Sequence, residues 1–292
     1  PSIGGKGLFT EELEERLRQG KIDGAVHSLK DLPVVDSAGL ALGAIPARGD
    51  VGDALVVRKG EEAATEAGGG PRQPGILPLH EGAVVGTGSR RRAAQLLAQR
   101  PDLRILDIRG NVDTRVRKTL DPAGQYDAVV LAAAGLKRLG LAGHISLTLP
   151  FETMLPAPGQ GALAVQCRKE ADWLAFFGGI DDGNTRAAVT AERAFLAGLG
   201  GGCRAPVGAL GECGDGEGDS SSLGDGKKAR RLRLLGRVSA LDGSRQLDAQ
   251  MDGLYDEAEQ IGQCVAELIL RKGAQEIIDQ ISENEAMLDA DS

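Results

Sequence analysis

The sequence predicts an α/β protein with a small α+β unit at its C-terminal end. Three observations lead there. Short apolar runs alternate with helical patterns between Ala83 and Leu139, the signature of βα units and of largely parallel sheets. Two of those runs end in loops that open a helix, Thr87-Gly88-Ser89 and Arg109-Gly110-Asn111. After about residue 182 the pattern changes to one long helix, two strands and a final helix. The 292 residues correspond to about two domains at ~150 residues each.

Phe9 to Gln19 is the first predicted helix, with Leu13 and Leu17 on one side, Thr10 as its N-cap and Gly20 as its stop. Asp23 to His27 is a short strand, and Ser28 to Pro33 turns away from it. Leu40 to Ile45 and Ala54 to Val57 are further strands. Glu61 to Pro78 is rich in Gly, Ala, Glu and Pro and forms a surface loop or weak helix. Strands follow at Ala83–Gly86, Arg104–Ile108 and Ala128–Ala132. The helices between them are Arg90 to Gln99, one running through Lys118, and one near Leu136. Asn184 to Leu199 is a helix capped by Asn184 or Thr185. Glu212 to Lys228 is low-complexity Gly, Ser, Asp and Lys, the composition of a mobile hairpin insertion. Arg231 to Val238 and Arg245 to Met251 are strands, Asp256 to Lys272 is a helix, and the acidic last ten residues are expected to be disordered.

Composition excludes several classes. Hydrophobic residues make up 41% and aromatic residues 3%, so the cores are built from Leu, Val, Ile and Ala. No apolar run reaches the ~18 residues of a membrane span, and no signal peptide is evident. A soluble cytosolic enzyme is therefore the expectation. Cys167, Cys203, Cys213 and Cys264 form no CxxC pair, against a zinc site or a disulfide framework and in favour of a reducing compartment. The net charge is -8, yet Val84 to Lys118 carries nine basic residues against three acids. A basic cluster in an acidic protein points to a small anionic ligand rather than to nucleic acid. The chain opens on Pro1 and enters Gly-Gly-Lys-Gly almost at once, the look of a fragment or a truncated product.

Four constellations could carry chemistry. In an open α/β sheet, ligands sit beyond the carboxyl ends of the strands, where helix N-termini offer free N–H groups to anions. Arg90-Arg91-Arg92 and Arg109 to Arg115 add guanidinium forks suited to carboxylates. A solvated helix start is the plainer account of Arg90 to Arg92, but cations there oppose the helix dipole, so a compensating anion is expected. His27-Ser28-Leu29-Lys30-Asp31 also ends a strand. By itself Lys30-Asp31 reads as an ordinary surface pair; alternatively, Lys30 holds an anion and Asp31 acts as acid or base. His27 reads as a core histidine. Cys203 follows three glycines and precedes Arg204. The glycines would expose its thiol, and the arginine would favour thiolate, although an inert cysteine would look the same. Leu155 to Ala162, with two prolines and two glycines, is either an interdomain hinge or a turn.

Taken together, these segments resemble the porphobilinogen deaminases. The similar stretches are Gly4 to Phe9, His27 to Pro33, Thr87 to Arg92, Arg109 to Arg115, Ala134 to Leu139, Pro156 to Ala162 and Gly201-Gly202-Cys203, in family order over nearly the whole chain. The resemblance implies two lobes like those of periplasmic binding proteins plus a small C-terminal α+β domain. Its boundaries would be 1–47 for lobe one, 48–153 for lobe two, 154–181 for the return to lobe one, and 182–292 for the domain carrying the cysteine. It implies a transferase that condenses four porphobilinogen molecules into hydroxymethylbilane with loss of ammonia, as a cytoplasmic monomer with no metal and no membrane or nucleic-acid partner. A dipyrromethane cofactor would be tethered to Cys203 by a thioether. Lys30, Ser28, Thr87, Ser89, Arg91, Arg92, Arg115, Asn111, Gln160 and Gly161 would hold that cofactor. Arg109, Arg138, Lys6 and Phe9 would serve the substrate, Lys6 and Phe9 from a mobile loop.

Asp31 would be the catalytic carboxylate, stabilising positive charge on ring nitrogens and shuttling the proton. The family opens with a strand and helix carrying further contacts, and this chain is expected to lack that unit. Gly88 stands where a serine is common.

The rival readings are a two-lobed binding module for an anionic solute and an inactive truncated paralogue. Intact mass separates them. A covalent adduct is expected on the purified protein and not on Cys203→Ser; an unmodified wild-type chain would favour a rival.

Overall fold

The computed structural model describes residues 5–60, 77–200, 205–215 and 230–290, the side chains of 5–9, 215 and 284–290 excepted. The first helix, α1 (Gly5–Arg18), starts before the expected Thr10 cap, which lies inside it. It stops as expected: Gly20 has φ +68°, Gly20 N–H donates to Leu17 O, and Lys21 N–H donates to Arg16 O. β1 (Ala25–Ser28) runs into a single 3-10 turn, Leu29–Asp31, and β2 (Leu40–Ala44) follows. Next come β3 (Asp53–Val57), β4 (Val84–Gly86), α2 (Arg90–Gln99), β5 (Arg104–Leu106), α3 (Val112–Leu120), β6 (Ala128–Ala132), α4 (Ala133–Arg138) and β7 (Leu147–Thr148). The chain continues through β8 (Leu163–Arg168), α5 (Ala171–Gly178) and α6 (Gly183–Gly198). It ends with β9 (Val207–Asp215), β10 (Arg230–Ser239), β11 (Gln246–Leu254), α7 (Ala258–Ile269) and α8 (Gln275–Ala290).

Most of the expected Glu61–Pro78 loop, and the expected insertion beyond Asp215, lie outside the described residues. Residues 212–215 extend β9, a strand the pattern did not reveal. The acidic tail is helical to Ala290 rather than disordered. A π-turn at Leu270–Ala274, with Gly273 at φ +97°, redirects the chain from α7 into α8, and Ala274, Ile277 and Ile281 join the terminal core.

The described strands form three sheets, ordered β1-β8-β2, β5-β4-β6-β3-β7 and β11-β10-β9. Only β4 pairs in parallel, with β5 and with β6. The other pairs are antiparallel, so the expectation of largely parallel sheets holds only for the βα units of the middle sheet. The reason is the path of the chain. β3 enters the middle sheet from the first and β8 returns to the first, and each runs against its neighbours. The last sheet is a meander, which is antiparallel by construction. β3 is buried along its whole length, as a strand covered on both faces must be. One face packs Leu55, Val57, Val85, Leu96 and Val130, the other Ala54, Val56, Ile108, Val129 and Leu136.

Buried ion pairs join these units. Arg48, on the first crossing, makes a two-pronged pair with the fully buried Glu192 of α6, at 2.7 and 3.0 Å. Glu192 also accepts from Gly159 N–H (2.6 Å) on the second crossing and from Gly211 N–H (2.8 Å) in β9. Arg237 of β10 pairs with Asp248 and donates to Gln95 Oε1 and Glu152 O of the middle unit. α6 is capped by Asp182, whose carboxylate accepts from Thr185 N–H, and not by Asn184 or Thr185 themselves. The helix starts one residue earlier than the pattern indicated, and an ionised carboxylate is a strong cap beside the helix dipole.

Glu192→Ala should lower stability by about 3–5 kcal/mol, because it strands the Arg48 charge and two buried N–H groups. Urea unfolding measures this, and a loss under about 1 kcal/mol would contradict the account.

Candidate active site

The catalytic candidates sit where strands end. β1 delivers Ser28, and the 3-10 turn after it presents Lys30 and Asp31. β4 ends before Thr87-Gly88-Ser89, and Ser89 caps α2 by accepting from Arg92 N–H at 3.4 Å. β5 leads through Arg109-Gly110 to Asn111, the N-cap position of α3. β6 passes directly into α4, which carries Arg138. The segment before β8 supplies Gln160 and Gly161.

These ends converge on two adjoining cavities of about 610 and 780 Å³. Both are lined by Lys30, Asp31, Arg92, Gly110, Asn111 and Arg115, so they form one cleft. Ser28, Arg138 and Gly161 line the first cavity, and Ser89, Arg91, Arg109 and Gln160 the second. Thr87 does not line the cleft. It is buried, and its Oγ1 accepts from Ser89 N–H at 3.1 Å, holding the loop in shape. Cys203 and the side chains of Lys6 and Phe9 lie outside the described residues.

The Pro-Gly-Gln-Gly segment is a close crossing of backbones. Gly161 has φ +84°, and a Cβ there would lie 2.7 Å from Asp50 O. Gly159 has φ +74° and would place a Cβ 3.2 Å from Leu29. Glycine is required at both. Between them the buried Gln160 donates from Nε2 to Val51 O (2.8 Å) and Asp53 Oδ1 (3.1 Å), and Lys30 Nζ donates to its Oε1 (3.3 Å).

Six basic side chains line the cleft: Lys30, Arg91, Arg92, Arg109, Arg115 and Arg138. Three acidic ones, Asp31, Asp107 and Asp113, accompany them. Beneath them lies Asp53, completely buried at the head of β3. Arg92 donates to Asp53 Oδ1 from Nε (3.0 Å) and Nη2 (2.8 Å), and Arg91 Nη1 lies 2.8 Å from Oδ2. Burial pushes the Asp53 carboxyl up, but the two guanidiniums outweigh it and hold the group down at about 2. The compensating charge expected for Arg90 to Arg92 is thus partly internal. No sequence motif singled out Asp53. The available signal was a charged residue heading the apolar run Ala54-Leu55-Val56-Val57, which is costly unless paired.

Lys30 is reached by solvent along the cleft, while its ammonium end sits among protein atoms. That desolvation, with repulsion from Arg92 and Arg91, outweighs the attraction of Asp53 and Asp31 and brings it down to about 8. Desolvation and Arg92 also push Arg115 down. Arg91 Nε is buried without a hydrogen-bond partner among the described residues. Arg109 is exposed and paired with Asp107 at 2.8 Å. Crowded cations and an unused buried guanidinium donor suit a ligand bearing several carboxylates.

Comparison with known proteins agrees with this chemistry. Residues 1–175 match the family model "Porphobilinogen deaminase, dipyromethane cofactor binding domain", and residues 186–271 match "Porphobilinogen deaminase, C-terminal domain". The chain is 46% identical to the porphobilinogen deaminase of Roseiflexus castenholzii over 95% of its own length and 82% of that protein's. It is 45% identical to that of Desulforudis audaxviator, over 96% and 81%. The porphobilinogen deaminase of a further Roseiflexus species is 45% identical over 95% and 82%. With both family models matched and this identity sustained along nearly its whole length, the chain belongs to the porphobilinogen deaminase family.

Proposed function

We propose that the cleft between the first and middle sheets is the condensing site, with Asp31 as its catalytic carboxylate and Cys203 as the cofactor anchor. The family's enzymes are transferases of tetrapyrrole synthesis, also called hydroxymethylbilane synthases, which carry a dipyrromethane cofactor. The observation that carries the site assignment is the convergence of Lys30-Asp31 with the arginine-bearing strand ends on one cleft.

The residues present fit the cofactor. The buried donor of Arg91 and the crowded cations call for carboxylates, which acetate and propionate side chains provide. Lys30, Ser28, Ser89, Arg91, Arg92, Asn111, Arg115, Gln160 and Gly161 would hold it, with Thr87 acting through the loop. When bound, the dipyrromethane supplies the nucleophilic pyrrole carbon on which the product chain is built. Arg109 and Arg138, at the outer edge of the cleft, take the carboxylates of incoming porphobilinogen. Lys6 and Phe9 would serve the substrate, from a backbone that is helical in α1 rather than the expected mobile loop. Asp31 would stabilise positive charge developing on ring nitrogens held in the cleft and would move a proton there.

Division of the chain at 47/48, 153/154 and 181/182 belongs to the same reading and is supported by the three sheets lying in the segments so marked. A monomer belongs to the same reading and is supported by the family resemblance alone. The cytoplasm is supported by Cys167, Cys213 and Cys264, which are free among the described residues. Among the described residues, no helix is long and apolar enough to cross a membrane. Small carboxylate partners rather than nucleic acid are supported by the placement of these cations inside a cleft of an acidic protein.

Asp31→Asn should keep the thermal midpoint while turnover of porphobilinogen falls by roughly 10²–10⁴-fold; near-normal turnover would sink the assignment. Lys30 is cationic below its value of about 8 and neutral above it. Affinity of cofactor-free Cys203→Ser protein for porphobilinogen, measured by calorimetry, should therefore fall as pH rises through about 8. Lys30→Arg, which stays charged, should lose that fall; its persistence would remove Lys30 from the site.

A further inference from the structure

Asp53 stands out among the buried groups because its contacts reach both walls of the cleft. It heads β3 in the middle sheet and is fully buried. One oxygen receives Arg92 Nε, Arg92 Nη2 and Gln160 Nε2, at 3.0, 2.8 and 3.1 Å. The other lies 2.8 Å from Arg91 Nη1. Gln160 Nε2 also faces Val51 O at 2.8 Å and Gly52 O at 3.4 Å. Three acceptors around one amide nitrogen leave the amide a single orientation. Its oxygen is then the end turned toward Lys30, whose Nζ is 3.3 Å away.

We propose that Asp53 is a positioning residue for the cleft, one buried carboxylate that sets the aim of Arg92 directly and of Lys30 through Gln160. This rests on the reading of the cleft as the condensing site only for what Lys30 and Arg92 go on to bind. The charged groups around Lys30 are Asp31 on its own turn, Arg91 and Arg92 on α2, Asp53 on β3, Asp107 and Arg109 after β5, Asp113 and Arg115 on α3, and Arg138 on α4. Asp31, Asp107 and Asp113 are exposed and therefore screened by water and salt. Asp53 is sealed, so its charge reaches Lys30 with the least attenuation. Without it, Lys30 faces Arg91 and Arg92 with no buried counter-charge, and its amide partner loses one of the acceptors that orient it.

A merely structural counter-ion for α2 would change stability and leave the titration of Lys30 alone. The test is nuclear magnetic resonance of the full chain with ¹³C-methylated lysines, followed through pH without any pyrrole ligand. The Lys30 signal is the one missing in Lys30→Arg. Asp53→Asn should shift the Lys30 midpoint down by about one pH unit, with the signal of Lys272 unmoved. Gln160→Met leaves the Asp53–arginine pairs intact and should shift the midpoint the same way by a smaller amount, which keeps the test open if Asp53→Asn does not fold. An unmoved Lys30 midpoint in a folded variant overturns the proposal, even with a lowered thermal midpoint. Because no pyrrole is present, a wrong assignment of substrate would leave this result intact.

Discussion

The ion pairs between Asp53 and the arginines of α2 are the interaction on which the cleft depends. A lone carboxylate in that position would cost many kcal/mol. Arg92 meets it with two hydrogen bonds and also donates to Val130 O, and Arg91 donates to Leu155 O while lying against the second oxygen. Those contacts tie α2 to the strands β3 and β6 and to the segment returning toward the first sheet. They also decide where the remaining positive charge goes. With one internal anion against two guanidiniums, the arginines keep a net attraction for an external carboxylate.

Glu192 plays the matching part between the crossings and the terminal unit. It is held by Arg48 from the outgoing crossing, by Gly159 N–H from the returning one and by Gly211 N–H from β9. Every partner is a different segment, so the carboxylate acts as a common joint. Gln160 lies between the two joints: its carbonyl accepts from Arg48 Nε at 2.8 Å and its side chain reaches Asp53. The floor of the cleft is therefore one connected network of buried polar groups, in which low local dielectric strengthens each contact. Such a network fixes the charged side chains of the cleft in place before any ligand arrives.

Much of this was legible in the sequence. The α2 helix and β6 have the limits that periodicity indicated, and the arginine-bearing loops do end strands and open helices. Lys30-Asp31, which alone could have been a surface pair, meets those loops across the cleft. What escaped has two causes. β9 and the antiparallel entry of β3 depend on residues distant in the chain or on the route between units, and local pattern carries neither, whereas Asp182 caps α6 through Thr185 only three residues on and competes with Asn184 and Thr185 as neighbouring capping types. Thr87 was grouped with the ligand contacts through the family resemblance, but it is buried and its hydroxyl holds Ser89 N–H instead.

By itself, the sequence determined the residue chemistry: an acidic α/β protein with a concentrated run of arginines, a Lys-Asp pair at a strand end, a Gly-rich cysteine and the motif order of one family. Those features are local, and strand, turn and cap preferences act over a few residues. The tertiary structure alone decided that Asp53 lies under Arg91 and Arg92, that Gln160 points its oxygen at Lys30, and that Lys30 is held near 8. Desolvation and Coulomb interactions depend on distances through space, and the partners here come from segments about 40 to 130 residues apart in the chain.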